Sequence, residues 1–234
     1  MRACFAEGLG TFCLVFAGAG AIVVNDISGN AVTHLGIAIT FGLIVFAMIA
    51  SFGHVSGAHI NPAVSIAFAT NGNITPRQCA AYIFSQIMGA LAASLVLLAM
   101  FAEHPTLGAT LPAGAVMQSF ALEVLLTFVL MLVIMQTALR KGANQLQIAL
   151  AVGATVGLEA LFAGPICGAS MNPARSLGPA IASNTLEHLW LYLTAPIIGA
   201  ALAVPAHRML KENDAADAQS NRVDAEKQGE KQSV

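Results

Sequence analysis

The chain has 234 residues, of which 57% are apolar and only 9% charged, and its formal net charge is −2. A soluble domain carries about 25% charged residues, so these few charges cannot dress a water-facing surface of this size, which argues against a soluble all-α protein. The basic residues are also too sparse for a nucleic-acid footprint.

Six apolar runs reach the roughly 20 residues that a bilayer crossing needs. They lie at 4–24, 34–52, 78–101, 115–138, 146–163 and 189–207. The first follows Met1-Arg2 with no evident cleavage site and reads as a retained span rather than a signal peptide. Two shorter stretches, 61–70 and 172–182, fall between runs two and three and after run five, and are too short to cross. The expected division is a channel domain over 1–210, with repeats at about 1–101 and 115–207, and a polar tail over 211–234. That tail has no apolar periodicity and reads as disordered.

Ten residues are Lys or Arg. With six crossings, Arg2, Arg77, Arg140, Lys141, Arg208, Lys211, Arg222, Lys227 and Lys231 fall on one side. By the bias of basic residues toward the cytoplasm, both termini are cytoplasmic in a plasma (inner) membrane. Arg175 is the exception. Cys4, Cys13, Cys79 and Cys167 have no metal-ligand spacing, and three of them sit in apolar runs, where a small polarizable side chain is ordinary packing. No disulfide, metal or cofactor is expected. No Ser-His-Asp, Cys-His or paired-carboxylate arrangement stands out, so the expectation is a protein that is not an enzyme.

The two short stretches open on one phrase. Gly57-Ala58-His59-Ile60-Asn61-Pro62-Ala63-Val64-Ser65 agrees with Gly168-Ala169-Ser170-Met171-Asn172-Pro173-Ala174-Arg175-Ser176 at Gly, Ala, Asn, Pro, Ala and Ser, 111 residues apart. Asn at the cap and Pro at the first helical position start a helix, so half-helices begin at Asn61 and Asn172. The repeat extends further. Glu7 and Thr11-Phe12 match Glu123 and Thr127-Phe128; Ile37-Ala38 and Gly42 match Ile148-Ala149 and Gly153; Ile87 and Gly89-Ala90 match Ile197 and Gly199-Ala200. Each half holds three spans, an odd number, so the halves insert with opposite topology about an axis in the membrane plane. The Asn-Pro-Ala starts, Asn61-Pro62-Ala63 and Asn172-Pro173-Ala174, then meet near the midplane.

Irregular backbone at membrane depth survives only inside protein or along a wet cavity. The segments before each Asn are expected to run extended and to turn a ladder of carbonyls, from Gly57, Ala58, His59, Cys167, Gly168 and Ala169, into a passage. The half-helix N-termini place partial positive charge at the centre, and Asn61 and Asn172 each aim an amide N–H₂ at the passing solute. Cations meet a barrier there, while neutral hydrogen-bonding solutes pass. Arg175 shares a helix face with Asn172, and its repeat mate is Val64. A charge so placed is functional by default, against the alternative of an Arg snorkelling to the interface. Glu7 and Glu123 are expected to accept N–H bonds from the irregular loops and brace them, or, as protonated carboxyls, to bond neighbouring helices.

At these residues the sequence resembles the aquaporin (major intrinsic protein) family over about residues 4–207. The resemblance implies a right-handed inverted-repeat bundle of six transmembrane helices and two re-entrant half-helices, a pore in each subunit and a homotetramer. It also implies an outer selectivity filter at Phe41, Ala160, Ala169 and Arg175. Strict water channels typically have His at the second position, where Ala160 stands. Glycerol channels usually have Trp at the first, where Phe41 stands. The stretch from Gly164-Pro165 to Ala180 looks most like the plant nodulin-26-like branch, which passes glycerol, boric acid, arsenous acid and similar neutral hydroxylated solutes. The residues agree in direction: two alanines leave room, Phe41 is an apolar wall or a packed span aromatic, and Arg175 supplies donors.

Glu159 reaches the outer vestibule or bonds another helix, with helix bonding favoured. For His59 the backbone carbonyl matters more than the ring. His54 reads as a satisfied structural histidine rather than a pH sensor, and His34, His104 and His188 as solvated loop residues. Cys167 is a small buried side chain or a mercury-sensitive pore residue. The expected activity is passive passage of water and small neutral hydroxylated solutes such as glycerol, arsenous acid or boric acid, without protons or ions. The alternatives are a water-selective channel, a secondary transporter built on inverted repeats, and a closed structural junction. The acids sit as loop braces rather than a coupling-ion site, and small residues at 160 and 169 do not plug a pore.

Overall fold

A computed structural model describes residues 1–210; the expected disordered tail over 211–234 lies outside the described residues. Among the described residues eight helices follow one another: α1 Arg2–Ile27, α2 Thr33–Ser56, α3 Pro62–Thr70, α4 Pro76–Met100, α5 Val116–Ala138, α6 Gln145–Cys167, α7 Pro173–Ala182 and α8 Leu189–Leu210. Six of them are long and apolar enough to cross a membrane; α3 and α7 are the half-helices.

Local chemistry sets the ends. Asn61 accepts from the Ala63 N–H at 2.9 Å, and Asn172 from the Ala174 N–H at 3.0 Å and the Arg175 N–H at 3.3 Å, each ahead of a proline at the first helical position. Thr75 and Asn144 cap α4 and α6 in the same way. The spans outrun their apolar stretches at several ends, because hydropathy marks the membrane core while caps mark the helix. The difference is four residues at the C-terminal ends of α2 and α6, and α6 continues past Gly164 and Pro165 to Cys167.

Proline at 165 has no N–H for the carbonyl of Leu161, one turn earlier. The His34 ring supplies the donor instead: its Nε2 lies 2.7 Å from the Leu161 carbonyl. His34 is exposed as expected, but it lies in the first turn of α2 and is hydrogen-bonded rather than a free loop residue. His104 departs likewise. Its side chain is 4% exposed, its Nδ1 accepts from the N–H groups of Thr106 and Leu107, and its Nε2 lies 3.3 Å from Asp26. His188 pairs with Glu187 at 3.2 Å. His54 is exposed and has no side-chain hydrogen bond among the described residues, in contrast to the satisfied structural histidine expected.

The packing repeats as the sequence does. α1 lies against α4 as α5 lies against α8, while α2 and α6 cross each other. At that crossing Gly42 and Gly153 face one another. A Cβ on either would meet the other's carbonyl oxygen at 2.8 or 2.7 Å, so only glycine lets the backbones approach. Large apolar side chains such as Leu43, Leu95, Leu125, Leu150 and Phe162 point outward, and Glu7, Thr11, Glu123 and Thr127 are fully buried. The result is apolar outside and polar at selected points within, as a lipid solvent requires.

Candidate functional site: a cavity between the half-helices

The centre is a reciprocal hydrogen bond between the repeats. Asn61 Nδ2 donates to the Met171 carbonyl at 2.8 Å, and Asn172 Nδ2 donates to the Ile60 carbonyl at 2.8 Å. An amide nitrogen has two N–H groups. One from each Asn is thus committed to the opposite loop, and one remains for the cavity. The expectation that both would serve a solute is corrected to this extent. The half-helix starts do meet, and the cross-bond fixes their spacing.

The loops before them are not extended. Gly57, Ala58 and Ile60 have φ of 90°, 46° and 44°, and Gly168, Ala169 and Met171 have φ of 80°, 41° and 54°. The reason is the two acids. Left-handed residues between ordinary ones turn successive N–H groups toward one point, a backbone nest for an anion. Glu7 sits in the first nest, accepting from the His59 N–H at 2.9 Å and the Ile60 N–H at 2.6 Å. Ser56 Oγ and Gln86 Nε2 add 2.6 and 2.8 Å bonds to the same carboxylate. Glu123 fills the second nest, accepting from the Ser170 N–H at 2.7 Å and the Met171 N–H at 2.8 Å. Non-glycine residues in this region cost about 1–3 kcal/mol each, and the charged hydrogen bonds offset that cost.

With its N–H groups turned to the acids, the loop backbone presents its other side to a cavity of about 80 Å³, several times the space one water needs. Gly57, Ala58, His59, Ile60 and Asn61 form one stretch of the wall, and Ala169, Ser170, Met171 and Asn172 another. Facing them are apolar side chains of four spans: Leu14 of α1, Val45 and Ile49 of α2, Leu130 and Ile134 of α5, Ile148, Val152 and Val156 of α6. Two residues expected on the ladder lie elsewhere. Cys167 is fully buried, its carbonyl accepts from the Tyr192 hydroxyl at 2.9 Å, and neither it nor Gly168 lines the cavity. Cys167 is the last residue of α6 and Gly168 is its left-handed cap, because the helix outlasts its proline. The His59 ring is engaged as well as its backbone: it stacks on Phe68 at 4.6 Å between centroids, and its Nδ1 lies 3.0 Å from Ser65 Oγ.

Phe41, Ala169 and Arg175 come together along this cavity. The Arg175 side chain is held inside rather than snorkelling. The residue is 2% exposed, Nη1 donates to the Gly108 carbonyl at 3.0 Å and to Thr110 Oγ1 at 3.3 Å, and the guanidinium carbon stands 5.0 Å from the Phe41 ring centroid. Stacking of this kind favours the cation over an aromatic face. Ala160 is buried and does not line the cavity. Glu159 is buried too, and its Oε2 has no hydrogen-bond partner, in contrast to the helix–helix bond expected of it.

Sequence reasoning missed Gly108 and Thr110, because the 101–115 connection reads only as a loop. It also passed over Ser65 and Ser176, although their matched places in the repeated phrase were a signal. Ser65 meets His59 and Gln86, while Ser176 meets Thr110 and Ser170 at 2.5 Å each.

Among known proteins, the family profile described as Major intrinsic protein matches residues 1–207. The chain belongs to the major intrinsic protein family. Aquaporin NIP1-3 of Oryza sativa subsp. japonica is 47% identical over 210 residues, covering 89% of this chain and 73% of that protein. Aquaporin NIP1-2 of Arabidopsis thaliana is 44% identical over 217 residues, covering 89% and 74%. Among solved structures, the aquaglyceroporin from Plasmodium falciparum superposes with a TM-score of 0.79 at 25% identity, over 87% of this chain and 93% of that one. This major intrinsic protein is thus an integral membrane channel for water and small solutes, and not an enzyme.

Proposed function

We propose that this channel passes small neutral hydroxylated solutes, such as glycerol, arsenous acid and boric acid, alongside water, and that Phe41, Ala160, Ala169 and Arg175 form its outer filter. The observation that carries this is the shared lining of Phe41, Ala169 and Arg175 on one cavity, with only methyl side chains at 160 and 169. A solute at that level has an apolar ring on one side and guanidinium donors on another. Deeper in, it slides between aliphatic side chains and the loop backbone, donating to carbonyls and accepting from the free N–H of Asn61 and Asn172. The N-termini of α3 and α7, each equivalent to about half a positive charge, oppose a proton or cation at the same point. Glu7 and Glu123 act as braces that hold the strained loops. The two repeats insert with opposite topology, both termini are cytoplasmic in a plasma membrane, and the assembled form is a homotetramer with a pore in each subunit.

The test is stopped-flow light scattering on proteoliposomes. Wild-type protein should pass water, glycerol and arsenous acid. The variant carrying Ala160→His and Ala169→Thr should keep water and lose the solutes. Water flux with no solute flux in the wild type would show a water-selective filter and overturn the proposal.

A further inference from the structure

His104 is a buried histidine to which the proposed passage gives no task. It stands in the 101–115 connection, the segment that supplies the acceptors of Arg175 Nη1: the Gly108 carbonyl at 3.0 Å and Thr110 Oγ1 at 3.3 Å. The His104 side chain is 4% exposed.

Its ring closes the turn that leads to those acceptors. Nδ1 accepts from the Thr106 N–H at 3.3 Å and from the Leu107 N–H at 3.0 Å, and the Thr106 carbonyl accepts from the Ala109 N–H at 2.9 Å. Leu107 and Gly108 have φ of 49° and 74°, and Gly108 lies so close to α1 that a Cβ on it would stand 2.8 Å from the Ala19 carbonyl oxygen. Leucine rarely adopts a left-handed backbone, so the turn needs its anchors. The carbonyl that leaves this turn, that of Gly108, is the one that holds Arg175.

A ring nitrogen that accepts N–H bonds carries no proton. The neutral ring therefore has its proton on Nε2, which lies 3.3 Å from Asp26 Oδ2 of α1. The charged groups at the turn are Asp26 at Nε2, Arg175 of α7 beyond Gly108, and Glu103, the exposed chain neighbour. A proton added to Nδ1 points at two donors and ends both bonds. Histidine is the side chain that ordinarily changes charge between about pH 5 and 8.

We infer that His104 is a positioning residue of the outer filter: by accepting the Thr106 and Leu107 N–H groups it holds the Gly108 carbonyl where that carbonyl fixes Arg175, and protonation of the ring releases both. The inference rests on the reading of Arg175 as a filter residue proposed above. Once released, the guanidinium turns to the cavity it lines and obstructs the passage, so water flux falls as pH falls.

The experiment measures water permeability of proteoliposomes by stopped-flow light scattering, at equal pH on both sides, from pH 8 to pH 5. The wild type should lose about tenfold across that range, the factor that a hydrogen bond to a charged group is worth. An Asn side chain accepts from backbone N–H groups two residues on and has no proton to gain, so His104→Asn should keep its flux at pH 5. His104→Ala should be slow at every pH. Hydrogen exchange of the wild-type 104–110 segment is followed as well, corrected for the pH dependence of the chemical step. The Thr106 and Leu107 amides should lose protection on acidification; this decides the matter if neither variant folds, and unchanged protection then overturns the inference. A wild-type flux independent of pH, or a pH response that persists in His104→Asn, overturns the role of His104 and leaves Arg175 in the filter. Arg175→Val is the control for the filter itself. If it has the wild-type ratio of glycerol to water permeability, the filter reading fails and the inference fails with it.

Discussion

Replacing Gly18 with alanine should convert this channel toward a water-only one, through a methyl group that never touches the pore. Gly18 lies on α1 behind the Phe41 ring. A Cβ there would sit 2.1 Å from one ring carbon and 2.5 and 2.6 Å from two others. Ordinary contact begins at about 3.4 Å, so the ring must retreat by roughly 1.3 Å. The same ring lines the cavity, with the Arg175 guanidinium 5.0 Å from its centroid. The retreat therefore narrows the outer constriction. Water fits past without pushing the ring back. Glycerol does not, and meets overpacking strain of about 1–3 kcal/mol, which is about 5- to 150-fold in permeability at 1.4 kcal/mol per tenfold. The helix tolerates the change, since alanine is better than glycine in a helix interior by up to about 1 kcal/mol. Stopped-flow permeabilities for water and glycerol check it, with the variant carrying both Gly18→Ala and Phe41→Leu expected to regain glycerol flux. Equal losses of water and glycerol in Gly18→Ala, or no loss of either, would refute a constriction set by Phe41.

Two further perturbations test the frame. Glu123→Ala removes the acceptor of two backbone N–H groups while the Ala169 and Met171 backbone stays strained. At about 1.5–3 kcal/mol per charged hydrogen bond, most of the folding stability is at risk. Size-exclusion profiles of detergent-solubilised protein should show little monodisperse material, and a wild-type profile would mean that the nest does not need its anion. His34→Ala orphans the Leu161 carbonyl that Pro165 already deprived of its helical partner. Side-chain hydrogen bonds between membrane helices average about 0.6 kcal/mol and reach about 1.7, so thermal unfolding should move down by a few degrees; an unchanged midpoint would show that Leu161 finds another donor.

What was legible in the sequence follows from how local its causes are. Apolar length gives the spans, and Asn-Pro gives the half-helix starts, because caps act within three residues. The brace acids were readable because Glu7 and Glu123 recur at matched places ahead of matched loops, and a buried carboxylate has few other partners than N–H groups. The shape those groups must take was not readable. A carboxylate that gathers two successive N–H groups forces left-handed residues at Ala58, Ile60, Ala169 and Met171, and none of these residue types announces such a backbone. Pro165 read as the end of a span for the same reason. The partner that lets α6 continue is His34, 127 residues away in the chain, and only the packed structure brings the two together. That continuation has a consequence at the site: it keeps Cys167 and Gly168 away from the cavity wall. The wall on that side of the cavity therefore begins at Ala169, two residues after the Cys167 at which the sequence placed it.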